Sequence, residues 1–271
     1  MKRFLPGVLA IAVGLFFVSN AMAYTPPGAY APGNGINGTV HDLATVHNGM
    51  NYIASPADGT LNRICIFCHA PHNTYRLSTA TGGAGPLAPA AFDYLPLWNH
   101  NLSGFDTSFS MYDNGPGAPQ SGSKASQAML NGMTPGSTSL LCLSCHDGTI
   151  AVNQYGNGDQ ISTSVSSGAS TILLSYQIGK DKYLGNHHPI GFSYDDASSG
   201  DPEIRNADAA MLTPATFVRD HLYGSAGSMM ECGTCHSVHN KGNTGETLLW
   251  RSDQNSELCL TCHDKGTYTA P

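Results

Sequence analysis

The sequence predicts a chain that is mostly coil, with a few short α-helices and minimal β-structure. Only 11% of its 271 residues are Asp, Glu, Lys or Arg, well below the roughly 25% of an ordinary soluble domain. The chain also has 31 Gly and 16 Pro residues, which favour turns and loops over long regular elements. We therefore expect the core of protein side chains to be weak.

The first 23 residues have the pattern of a secretory signal peptide. Two basic residues precede an apolar run from Val8 to Val18, and Ala21-Met22-Ala23 is a cleavage site of the A-x-A type. That run is too short to span a bilayer, and no later segment reaches about 18 uninterrupted apolar residues. We expect a secreted chain that begins at Tyr24 and has no transmembrane segment.

The formal net charge is −7 and becomes more negative when the two basic residues of the signal peptide are removed. An acidic chain of this kind lacks the basic surface that nucleic acids and anionic membranes require. The charge therefore argues against both as partners.

All eight cysteines lie in four copies of the motif Cys-x-x-Cys-His, which we number from 1 to 4 along the chain. The copies are Cys65-Cys68-His69, Cys142-Cys145-His146, Cys232-Cys235-His236 and Cys259-Cys262-His263. Disulfides or zinc could use four Cys-x-x-Cys pairs, but neither explains a histidine directly after every second cysteine. In c-type heme attachment two thiols form thioethers and that histidine is the proximal iron ligand. The sequence predicts four covalently attached c-type hemes that form the core, with the polypeptide wrapped around them.

Eight further histidines could supply the second axial ligand, and imidazole is a good sixth ligand for low-spin iron. His72 and His239 each follow a proximal histidine by three residues, a spacing that favours a neighbouring heme over their own. His100 follows an apolar, Trp-containing segment, and His188 precedes a proline that favours extended backbone. Further candidates are His47, His187 and His221, and a structural role is the alternative for His221.

Few segments between the motifs predict regular structure. We expect a helix in "SKASQAMLNG" from Ser123 to before Gly132, and a second in "TPATFVRDHLYG" from Thr213. A third is expected in "NSELCLTCHDKG", with Ser256 as N-cap and Gly266 as the stop, and a strand in "TILLSYQIG".

The motif spacing suggests two di-heme modules, because each half of the chain holds two motifs and one Cys-x-x-Cys-His-x-x-His unit. The predicted organisation is a signal peptide (1–23), a Gly- and Pro-rich arm (24–50), module 1 (51–160), a connecting segment (161–209) and module 2 (210–271).

The succession "VHDL", "CIFCHAPHN", "PLWNH", "LCLSCHDGTIA", "NHHPIGFSY", "CGTCHSVHN" and "LCLTCHDKG" resembles the doubled-CxxCH multiheme cytochromes. The tetraheme chain as a whole is similar to OmcE-type outer-surface cytochromes, which polymerise into extracellular filaments. The resemblance implies bis-histidine hemes in a closely stacked chain, with little regular structure in the polypeptide. It also implies electron transport out of the cell toward other multiheme cytochromes and acceptors such as metal oxides. The recurring histidines of that family match His41, His72, His100, His188 and His239, which is one more than four distal positions require.

The expected function is electron transfer without enzymatic activity, at the outer cell surface or outside the cell. The arm ends in His41 and His47, and either could bind a heme in the next subunit, which would build a head-to-tail filament. The alternative is that the arm folds back onto a heme of its own chain. Two other functions stay open, a periplasmic electron shuttle that does not polymerise and a multiheme oxyanion reductase with one open iron position.

Overall fold

The computed structural model describes residues 35–43 except 38, 64–112, 132–156 except 153, and 171–271 except 173 and 242–245. The predicted signal peptide, most of the arm with His47, and the helix predicted from Ser123 lie outside the described residues. None of the helices that are described is long and apolar enough to cross a membrane.

The described chain is mostly coil, as the sequence predicts. Its α-helices are α1 (Ser137–His146), α2 (Tyr194–Gly200), α3 (Cys232–Cys235) and α4 (Glu257–Cys262). Short 3₁₀ turns span Ile64–Phe67, Leu174–Tyr176, Lys180–Lys182, Val218–His221 and Gln254–Ser256.

Two antiparallel strand pairs make up the β-structure of the described residues. Strand β1 (Phe192–Ser193) pairs with β4 (Met229–Met230), and β2 (Met211–Thr213) pairs with β3 (Thr216–Phe217). Both pairs lie in the second half of the chain, where they hold the segments around motif 3.

The core is divided between two main clusters, and each packs against motif cysteines. The first contains Trp98, Leu140 and Leu143, and Cys68 packs against it. The second contains Tyr194 and Val218, and Cys235 and Cys262 pack against it. Because the cysteines border both clusters, a group attached to them would extend the apolar core.

Two predicted elements are wrong. The described part of "TILLSYQIG" is not a strand, because its backbone bonds to motif 2 and not to another strand. The N–H of Ile178 donates to the carbonyl of His146 at 2.7 Å. The segment from Thr213 is not a helix. Thr213 pairs with Thr216 across a hairpin and their hydroxyls lie 2.6 Å apart, so the chain reverses before the 3₁₀ turn Val218–His221.

The helix predicted from Ser256 is confirmed as α4, but it ends at Cys262, short of Gly266. His263 is extended, with φ −95° and ψ 125°, and it pairs with Ile204 in an isolated β-bridge. This bridge takes the backbone out of the helix immediately after the second cysteine.

Candidate heme-binding sites

Each Cys-x-x-Cys-His motif closes one helical turn. Motif 1 lies at the turn Ile64–Phe67, and motifs 2, 3 and 4 lie on α1, α3 and α4. The histidine N–H donates to the carbonyl of the first cysteine, at 2.8 Å for His69 and Cys65, 3.1 Å for His236 and Cys232, and 2.9 Å for His263 and Cys259. Residues three and four apart project from the same side of such a turn. The two thiols and the imidazole of a motif are therefore presented together.

Three motif histidines face a second histidine from a distant part of the chain. The ring centroids are 6.1 Å apart for His146 and His41, 6.1 Å for His69 and His239, and 6.2 Å for His263 and His188. Two imidazoles that bind one metal from opposite sides at about 2 Å have centroids roughly 6 Å apart. The three pairs have the separation that one iron requires between its two axial ligands.

The orientation of these rings is set by hydrogen bonds to the backbone. Nδ1 of His69 lies 2.6 Å from the carbonyl of Pro96, Nδ1 of His146 lies 3.0 Å from that of Tyr176, and Nδ1 of His188 lies 2.9 Å from that of Pro189. Since a carbonyl only accepts, Nδ1 carries the proton and Nε2 is the nitrogen with a free lone pair. Metal-binding histidines in proteins are commonly oriented by such a bond.

Burial favours the neutral form of both imidazoles in the His41–His146 pair. Burial, with the neighbouring His146 as the next cause, lowers the pKa of His41 to about 4. Burial also lowers the pKa of His146. Neutral imidazole is the form that binds a metal, so burial prepares both members of this pair.

Thiols of successive motifs are neighbours, in chain order. Burial raises the pKa of Cys145, and Cys68 of motif 1 raises it further. A hydrogen bond with the Cys232 thiol and burial raise the pKa of Cys142. Burial raises the pKa of Cys235 to about 12, with Cys262 of motif 4 as the next cause. Motif 1 therefore adjoins motif 2, motif 2 adjoins motif 3, and motif 3 adjoins motif 4.

Motif 3 differs from the others because His236 has no ring contact with another histidine among the described residues. The His236 side chain is exposed. The ring contacts of the described residues therefore identify no second histidine for motif 3.

The other candidate histidines have no ring contact with a motif histidine among the described residues. His100 is fully buried beside Trp98, with ring centroids 6.3 Å apart, and neither ring nitrogen has a hydrogen bond in the described structure. His72 is exposed and His187 is half-buried. Nε2 of His221 lies 2.8 Å from Thr216 Oγ1, and its ring lies 4.3 Å from that of Trp250. His221 thus occupies the structural position that the sequence offers as its alternative.

Two ion pairs beside the motifs were missed by the sequence analysis. Asp147 follows His146, its side chain is fully buried, and its carboxylate accepts from Lys182 Nζ at 2.5 Å. Asp264 follows His263 and pairs with Arg205 at 2.6 Å. The repeated "CHD" is the signal that could have indicated them, but the basic partners lie 35 and 59 residues away in sequence. A local sequence pattern therefore does not identify the basic partners.

Residues 226–267, which contain motifs 3 and 4, match the family model of the doubled CXXCH motif. No curated protein matches the chain significantly. The family match supports a multiheme c-type cytochrome, and with it electron transfer and covalently bound c-type heme.

The residues present fit such a group where a histidine pair stands beside a pair of thiols. A bound heme supplies a one-electron couple at its iron. The chain's cysteines would attach it through thioethers, and the histidine pair would bind its iron. The backbone carbonyls of Pro96, Tyr176 and Pro189 orient the imidazoles, and the adjoining core clusters exclude water.

Proposed function

We propose that this protein carries electrons along four covalently attached c-type hemes and is the repeating subunit of an extracellular filament. The observation that carries the proposal is the set of three histidine pairs at 6.1–6.2 Å, each built on a Cys-x-x-Cys-His motif. The contacts between successive motifs support a continuous path for electrons, because the four hemes would be neighbours in the same order as their motifs.

Bis-histidine ligation suits electron transfer. With both axial positions taken, the iron has no site for a small substrate, and the work of the chain is to hold spacing and exclude water. Histidine at both positions gives a lower reduction potential than histidine with methionine. A low potential suits delivery of electrons to other multiheme cytochromes and to external acceptors such as metal oxides.

The filament proposal rests on motif 3. His41 faces His146 of its own chain, which supports the folded-back alternative for this residue. His236 has no ring contact with a described histidine, and His47 is the arm histidine that remains. We assign His47 of a neighbouring copy to the heme of motif 3. In such a head-to-tail contact, one surface of a subunit binds a different surface of the next subunit. When the resulting assembly does not close into a ring, it grows into a helical filament.

The first test of the proposal is heme content and particle shape in native protein sheared from the cell surface. Intact mass should show four hemes per chain, and electron paramagnetic resonance should show low-spin iron. Negative-stain microscopy should show long filaments of uniform width. Fewer than four hemes would refute the tetraheme assignment, and single particles at every concentration would refute the filament and favour a periplasmic shuttle.

A second function draws support from the exposed His236, since a heme with one open position could reduce an oxyanion such as nitrite. Carbon monoxide separates the two proposals. Reduced filaments should bind almost none, because every iron is six-coordinate. Stoichiometric binding of one carbon monoxide per chain within intact filaments would favour the reductase.

A further inference from the structure

A buried carboxylate connects the helix of motif 2 with the helix of motif 3. Glu231 directly precedes Cys232 and is only 2% exposed. Its Oε1 accepts the N–H of Gly136 at 3.0 Å, and its Oε2 accepts the hydroxyl of Ser139. Gly136 and Ser139 lie at the start of α1, more than 90 residues earlier in the chain.

Each of the two segments donates hydrogen bonds to the other. Ser139 Oγ donates to Glu231 and also accepts the N–H of Cys232 at 3.0 Å, which closes a ring through the two segments. The backbone N–H of Glu231 itself donates to Thr234 Oγ1 at 3.0 Å. A buried polar group is costly unless its hydrogen bonds are made, and here both carboxylate oxygens have donors.

Burial raises the pKa of the Glu231 carboxyl, and the hydrogen bonds from Ser139 and Gly136 oppose that rise. The first N–H groups of a helix have no partner within the helix and carry partial positive charge, which an anion stabilises. Space at this position is limited, since a Cβ on Gly136 would lie 2.7 Å from Oε1. We call the contacts of Glu231 with Gly136, Ser139 and Cys232 the α1–α3 clasp.

We propose that Glu231 is a positioning residue that fixes the distance and angle between the hemes of motifs 2 and 3. Cys142 and Cys145 lie on α1 and Cys232 and Cys235 lie on α3, so thioether bonds would tie each heme to one side of the clasp. The helices α1 and α3 are also in direct contact. A shift of one helix against the other therefore moves one heme against the other. This inference rests on the proposed tetraheme function.

Circular dichroism in the Soret band tests the clasp, because the exciton couplet between neighbouring hemes depends on their distance and angle. Glu231→Leu removes both carboxylate bonds, Ser139→Ala removes the link to Cys232 alone, and Glu231→Gln keeps the shape. Thr213→Val is the matched control, since it removes a buried hydroxyl bond within the β2–β3 hairpin and none of the contacts of the clasp. Heme count by mass and midpoint potentials accompany each spectrum.

We expect Glu231→Leu to change the couplet and the potentials of two hemes while the heme count stays at the wild-type value. Ser139→Ala should give a smaller change of the same sign, Glu231→Gln should lie closest to wild type, and Thr213→Val should leave the couplet unchanged. If the Glu231→Leu variant does not acquire its hemes, the couplet of the Ser139→Ala variant decides the test.

An unchanged couplet in Ser139→Ala, or in a fully hemylated Glu231→Leu protein, overturns the clasp and leaves the proposed function standing. A change of equal size in Thr213→Val also overturns it, because loss of stability alone would then explain the effect. A wild-type chain without heme at motif 2 or 3 overturns both proposals.

Discussion

At the scale of single residues, the described structure separates histidines that the sequence treats alike. His72 and His239 both follow a proximal histidine by three residues, yet only His239 faces a motif histidine among the residues described. The partner is His69, which belongs to another motif. This agrees with the argument that a residue at this spacing reaches a neighbouring heme, while its role as an iron ligand stays a prediction.

Replacing His239 with Ala should therefore open one iron position. We expect unchanged covalent heme content, because the thioethers do not depend on this residue, with one heme per chain becoming high-spin and able to bind carbon monoxide. Electron paramagnetic resonance and a carbon monoxide titration of the reduced protein measure this. His72→Ala is the matched control and should keep the wild-type spectrum; high-spin iron in His72→Ala alone would reverse the assignment.

His221 provides a prediction about pH. Burial lowers its pKa below the ordinary value of 6.5, and Asp220 opposes this shift. The unfolded chain therefore binds the proton first as pH falls through about 6.5, and the folded state loses stability below that pH. His221→Gln, which has no titrating group, should lose less stability between pH 7.5 and pH 5 in thermal unfolding.

The same variant tests whether His221 binds iron. We expect the low-spin spectrum to be unchanged, because Nε2 is 2.8 Å from Thr216 Oγ1. A high-spin signal in His221→Gln would contradict the structural role, and an acid-induced loss of stability equal to that of wild type would contradict the pKa argument.

At the scale of elements, charged and polar side chains hold the motif helices in place. Lys182 lies in the 3₁₀ turn Lys180–Lys182 and bonds the buried Asp147 at the end of α1. Its ammonium group also lies 4.5 Å and 4.6 Å from the ring centroids of Phe105 and Phe109. The turn is thus tied to motif 2 through a single cation.

Lys182→Met should leave the Asp147 carboxylate buried without its counter-charge. Breaking a buried pair on one side costs about 3–5 kcal/mol, and we expect a loss of about 3 kcal/mol because Lys182 is partly exposed. Chemical denaturation of the ferric protein measures the free energy of unfolding. The double variant Asp147→Asn/Lys182→Met should recover part of the loss, and additive effects of the two changes would argue against a coupled pair.

Two glycines test how closely α1 and the segment before α3 pack. Gly136→Ala places a methyl group 2.7 Å from the Glu231 carboxylate, and we expect it to destabilise the fold by about 1–3 kcal/mol. Gly200→Ala is the matched control at the end of α2, where a Cβ meets nothing within 4 Å. Equal unfolding free energies for the two variants would refute close packing at Gly136.

At the scale of the whole molecule, the histidine pairs join distant parts of the chain. His69 of predicted module 1 faces His239 of predicted module 2, and His188 of the connecting segment faces His263. Iron bound between such pairs would crosslink the predicted modules. Heme insertion and folding should for this reason be coupled, as metal binding and folding are in small metalloproteins.

The assembly prediction concerns His47. His47→Ala should keep four hemes per chain, because the residue is not part of a Cys-x-x-Cys-His motif, but it should abolish filaments and make one heme five-coordinate. Negative-stain microscopy and carbon monoxide binding measure both effects. His41→Ala, which removes the partner of His146, is expected to open one iron while filaments persist. Filaments of normal length in His47→Ala would refute the proposed subunit contact.

The sequence by itself determined the chemistry of the motifs and the coil-rich fold class. Both follow from local properties: Cys, Cys and His three and four residues apart meet on one helical turn, and a chain rich in Gly and Pro forms few long elements. The helix from Ser256 was predictable for the same reason, since its signals lie within the helix itself.

Only the tertiary structure decided which histidine faces which motif, that His100 lies buried beside Trp98, and that Glu231 joins α1 to the segment before α3. These contacts connect residues up to about 170 positions apart in the sequence. The coil between them has no periodic pattern from which their pairing could be predicted. The hairpin at Thr213 shows the same limit, because its helix signals were overridden by a hydroxyl bond and strand pairing that form only when the chain reverses. Local spacing specifies a site, and the packing of distant segments specifies its partner.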